Sequence, residues 1–115
     1  ADILLMKAEA ILRGGMSTKG DTPKSLLNQI RSYVNAPQAT ENPSLNDILD
    51  ERARELLDEP WRRNDLIRFG KFEDPTPFRA LYAQKELKEK FRRIFPIAKN
   101  TLETNSSWGQ NPGYE

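Results

Sequence analysis

The chain has 115 residues, a length that suits one compact domain around a single hydrophobic core. Its 18 Lys and Arg against 17 Asp and Glu leave a net charge of +1, which argues against a dedicated nucleic-acid binder and excludes a polyacidic or polybasic tail. It has no Cys and no His, so disulfides, thiol nucleophiles, thiolate or imidazole metal sites and Ser-His-Asp catalysis are excluded; no cofactor or metal is expected. The longest apolar run, Ile3-Leu4-Leu5-Met6, is far short of the ~18 residues that cross a bilayer.

In chain order, residues 1–13 form a helix from the first position, with Leu4, Ala8, Ile11 and Leu12 on one stripe and Gly14-Gly15 as its stop. With neither an initiating Met nor a signal peptide, the chain reads as a piece of a longer protein. After a polar loop, Thr22-Pro23 opens a second helix that runs to about Asn35 and carries Leu26, Leu27, Ile30 and Val34 on one face. Residues 1–35 are thus a helical hairpin, followed by a linker-like loop over 36–43. Ser44 with Asp47 resembles a capping box, opening a third helix over Leu45–Glu59 with Leu45, Ile48, Leu49, Leu56 and Leu57 inward. Asp50 with Arg54, and Arg54 with Asp58, are spaced for ion pairs on its outer face. A compact amphipathic stretch from Trp61 to Phe72 follows, then a two-proline loop, a helix over 78–95 and a turn-rich tail over 96–115. The class is all-α with long irregular loops, and 1–115 is read as one domain or fragment.

The densest polar segment is 51–70. Its carboxylates suit acid and base work only if two of them flank a cleft, and carboxylates four apart on a helix are common on solvated faces. The better reading is a structural ion-pair lock. Glu51, Glu55 and Glu59 line one side of the third helix, and Arg62, Arg63 and Arg68 follow closely enough to fold back onto them. Lys85–Arg93 is locally basic, but Glu86 and Glu89 interrupt it, so a solvated face is preferred to a phosphate grip. Trp61, beside Pro60 and two arginines, is expected to pack between helices. Trp108, among Ser106, Ser107 and Gly109, is the one ligand candidate, because an exposed indole face suits a pyranose ring.

Several segments together resemble the C-terminal part of the SusD/RagB family of outer-membrane nutrient-binding lipoproteins. They are Ala1–Ala10, Asn28 with Arg31, Ile48–Leu56, Arg62–Gly70, Phe95-Pro96-Ile97 and Gln110–Tyr114. There are departures: Ser32-Tyr33 stands in place of an Arg-Ala pair, Pro60-Trp61 in place of Glu-Gly, and Ala98 in place of a second Pro. The resemblance implies a tetratricopeptide-related helical fold and no enzymatic activity. It also implies capture of an oligosaccharide or similar nutrient for a TonB-dependent, SusC-like transporter at the cell surface. Attachment to the outer membrane would be through a lipid anchor outside this chain, and nucleic acid would not be a partner. It further implies that Glu51, Arg52, Glu55, Arg62, Arg63, Asp65 and Arg68 mark the fold rather than a ligand. The alternative is a generic helical protein-interaction module, which has no reason to carry both the 62–70 and the 110–114 motifs.

Overall fold

The computed structural model describes residues 1–73 and 90–114. Helices α1 (Asp2–Leu12), α2 (Pro23–Tyr33) and α3 (Leu45–Glu55) come first, then α4 (Arg62–Arg68), a 3-10 turn (Lys90–Arg93) and α5 (Lys99–Thr104). No strand occurs among the described residues, and none of their helices is long and apolar enough to cross a membrane. The all-α class is therefore as expected. The chain divides into two compact units, Ala1–Asp65 and Leu66–Glu115, where composition and length suggested one domain.

In the first unit α1 packs on both α2 and α3. Two neighbours widen its buried face: Leu5 and Ala8 are fully buried, while Leu4, Ile11 and Leu12 of the expected stripe are half-buried. Leu26, Leu27 and Ile30 from α2 and Ile48 and Leu49 from α3 complete the core. Burying an aliphatic side chain of this size contributes about 1.5–3 kcal/mol.

Side-chain caps fix where α2 and α3 begin. Thr22 Oγ1 accepts from the Ser25 amide at 3.1 Å, and Ser25 Oγ accepts from the Thr22 amide at 2.9 Å. Ser44 and Asp47 repeat the exchange at 3.2 and 2.7 Å, and the Ser44 bonds hold the Asp47 carboxyl below its usual range. Ends are set by left-handed residues. Gly14, Asn35 and Gly70 have positive φ after α1, α2 and α4, and each following amide bonds the carbonyl five residues back.

Helix α3 ends four residues earlier than its periodicity suggests. Leu56 leaves the helical region and Asp58 turns left-handed ahead of Pro60, so the turn throws Leu57 outward, 71% exposed. The same early exit removes Asp58 from the face of Arg54, which instead meets Glu51 at 2.5 Å. Val34 is exposed for a similar reason, since α2 closes at Tyr33. Trp61 is also a correction. Its carbonyl accepts the Asp65 amide at 3.0 Å, placing it at the start of α4 rather than on a packed face, and it is 44% exposed.

In the second unit Phe72 is buried, and Arg93 grips Glu73 through two bonds of 2.5 and 2.7 Å. Of the helix expected over 78–95, residues 78–89 lie outside the described residues, and 90–93 form a single 3-10 turn. The turn-rich tail also contains α5, which starts from extended Ala98 and carries a Lys99–Glu103 pair at 3.7 Å. The rest of the tail is clasped to 91–97. Gln110 bonds both the amide and the carbonyl of Ile97, at 2.7 and 2.9 Å, Asn111 Nδ2 donates to Phe95 O at 2.7 Å, and the Tyr114 hydroxyl donates to Ile94 O at 2.8 Å. Tyr114 meets Phe91 edge to face, and a Cβ on Gly113 would lie 2.4 Å from the Phe91 ring.

Thr22→Ala and Ser44→Ala are each expected to lower unfolding stability by about 1 kcal/mol, because each strands helix-start amides. Urea melts check this, and losses within error would show that the caps are dispensable.

Candidate functional site

Of the signature residues, Glu51, Arg52, Arg62 and Asp65 engage partners within the first unit, with a different pairing from the one expected. Arg52, on α3, is almost fully buried. Its Nε donates to Asp65 Oδ2 on α4 at 2.8 Å, and its Nη1 donates to Asp2 Oδ1 on α1 at 2.6 Å. One guanidinium thus ties three helices, and Asp65 is as buried as its partner. Burial pushes the Arg52 pKa down, but the hydrogen bonds from Asp65 and Asp2 outweigh it and leave the group more firmly protonated than usual.

Glu51 pairs in the opposite direction to the one expected. Its Oε2 accepts from Arg31 Nη2 of α2 at 2.9 Å and from Arg54 at 2.5 Å. Burial raises its pKa, and the two arginines more than reverse that, so its carboxyl sits below the usual range. The clamp therefore joins α2 to α3 through Glu51 and joins α3 to α1 and α4 through Arg52. Glu55 and Arg63 are half-buried, Glu59 and Arg68 are exposed, and Glu55 and Glu59 pair with none of Arg62, Arg63 or Arg68. The cause is the early end of α3: Glu55 is its last residue and Glu59 lies beyond it, so the three glutamates do not form one continuous row. Arg62 contributes differently, donating from Nη1 to the Leu49 carbonyl at 3.0 Å. The Arg68 guanidinium lies 4.9 Å from the centre of the Phe69 ring.

Arg31 and Asn28 have a second task. Asn28 brackets the Ala39 peptide, donating to its carbonyl at 2.9 Å and accepting from its amide at 2.7 Å. Arg31 Nη1 also reaches Pro37 O at 3.3 Å. The linker-like 36–43 segment is thus pinned to α2 by residues three apart on one helix face. Asp2 and Arg31 were missed as lock members. Each is a charge at the dipole-favoured end of its helix, which gives a sufficient local reason for its presence. Trp108 lies where the tail turns and is 56% exposed. No cluster of metal-ligating carboxylates occurs among the described residues.

This architecture has close counterparts. The model of the SusD family matches residues 1–114, and the chain belongs to that family. It is 31% identical, over its whole length, to the starch-binding protein SusD of Bacteroides thetaiotaomicron, of which it covers 20%. Among solved structures, surface glycan-binding protein A from Bacteroides thetaiotaomicron superposes with a TM-score of 0.78 at 26% identity, over 96% of this chain and 23% of that one. A laminarin-binding SusD-like protein superposes with a TM-score of 0.69 at 33% identity, over 98% of this chain and 22% of that one. The chain thus spans about a fifth of the length of the relatives it matches.

The depressed Glu51 carboxyl gives a pH prediction. Its ion pairs stabilise the fold fully above the unfolded value of about 4.3, and that contribution is lost as pH falls through the lower folded value. Melting midpoints followed from neutral pH into acid should fall more steeply for the native sequence than for Glu51→Gln. Parallel curves would show that the pair does not titrate with folding.

Proposed function

We propose that the protein captures oligosaccharides at the bacterial cell surface without cleaving them. It would then pass them to a TonB-dependent, SusC-like transporter while held at the outer membrane by a lipid anchor. The observation that carries this reading is the match to the SusD family along the chain, with relatives described as binding starch, glycan and laminarin.

The lock supports a binding role over a hydrolytic one. A general acid in a glycosidase needs its carboxyl pKa raised, so that it stays protonated until it meets the leaving group. Glu51 is shifted the other way, and Asp65 is engaged by Arg52. These buried charges are spent on holding helices together. Capture itself needs only aromatic stacking and hydrogen bonds, both reversible, which suits a protein that must release its cargo to a channel.

The test is calorimetric titration with maltoheptaose and laminarihexaose, followed by chromatography of the sugars after prolonged incubation. Heat of binding with the oligosaccharides recovered intact supports the proposal. Shortened products, lost in Glu55→Gln, would replace it with a hydrolase.

A further inference from the structure

The tail clasp has a feature that the ion-pair lock does not explain. Residues Asn105–Trp108 form a tight turn closed by the Trp108 amide donating to Asn105 O at 2.9 Å, with Ser106 and Ser107 at its tip. The turn is tethered on both sides. Asn105 Nδ2 donates to Thr101 O of α5 at 3.0 Å, and two residues past Trp108 the Gln110 side chain holds Ile97 by two bonds. Every one of these bonds uses main chain or a neighbouring side chain, and none uses the indole. A large apolar side chain is thus held out in water on a turn whose backbone is already ordered.

The same clasp holds the 94–97 backbone to the tail. Asn111 bonds the Phe95 carbonyl at 2.7 Å, and Phe95 is 70% exposed. An exposed indole on a fixed backbone, with Ser106 and Ser107 in the same turn, combines an apolar face with hydroxyl-bonding groups. That is the chemistry of a pyranose ring, whose C–H face stacks on indole while its hydroxyls take hydrogen bonds. Pre-ordering the turn removes part of the entropy that binding would otherwise cost.

We infer that the 105–108 turn, with Trp108 as the stacking ring, is a contact site for a glucose polymer. The inference rests on the carbohydrate-capture reading above. Starch and laminarin, bound by two of the relatives, are both glucans that differ in linkage, and a stacking platform tolerates that difference.

The test uses the full chain carrying Trp61→Phe, so that Trp108 alone reports by fluorescence. Maltoheptaose and laminarihexaose are titrated separately, with affinity measured in parallel by calorimetry. At least one of them should change the Trp108 emission. Trp108→Ala should weaken that sugar's affinity by about tenfold or more, and Trp108→Phe should restore much of it. Unchanged affinity in both Trp108 variants, with the parent binding normally, overturns this site and leaves the capture reading standing. Absence of binding of both sugars by the parent overturns the site together with the reading it rests on.

Discussion

A single buried guanidinium governs the first unit. Arg52 satisfies Asp65 and Asp2 at once, and so fixes the positions of α1 and α4 against α3. Removing the arginine and the Asp65 carboxylate from water is costly, and the geometry repays it only because each charge has a partner at hydrogen-bond distance. Glu51, the residue before it, repeats the solution with Arg31 and Arg54 flanking it. Two adjacent residues of one helix therefore clamp in two directions, and the aliphatic core of Leu5, Leu27, Ile48 and Leu49 fills the space they enclose. Such a pattern specifies one arrangement more than it adds net stability, because an apolar replacement of the whole set would pack as well without fixing register.

Much of this was legible in the residues. The three main helices, the Thr22 and Ser44 caps and the Gly stops follow from local chemistry, and local chemistry acts in the folded chain as it does in a peptide. The density of opposite charge over 51–68 was also legible. Its wiring was not. Glu59 would join Glu51 and Glu55 on one face only if α3 ran on to Pro60, and α3 ends at Glu55, ahead of the left-handed Asp58. Pairing across helices depends on tertiary phase, so the motifs around Asp2 and Arg31 and their places at helix ends did not show which charges they would meet. Trp61 and Leu57 were misplaced by the same early exit, because both lie in the connection rather than on a packed face.

The separation of tasks along the chain bears on function. In the first unit the buried charges are engaged with one another, and even the 36–43 loop is pinned by Asn28 and Arg31. Chemistry that must meet a ligand has to come from groups not used in this way. In the second unit the Gln110–Tyr114 motif spends its polar atoms on the 94–97 backbone and leaves the turn before it presenting an aromatic ring to water. A scaffold that fixes backbone with internal ion pairs and clasps, and exposes rings on the fixed parts, suits reversible capture of a polymer better than covalent chemistry.

The most direct test of the central claim is a double-mutant cycle on Arg52 and Asp65 read by urea unfolding. Arg52→Met and Asp65→Leu should each be strongly destabilising, by about 3–5 kcal/mol, while the double variant recovers much of the loss because no lone buried charge remains between the two positions. Two losses that simply add would mean that these side chains act independently, and the clamp on which the architecture is argued to depend would not exist.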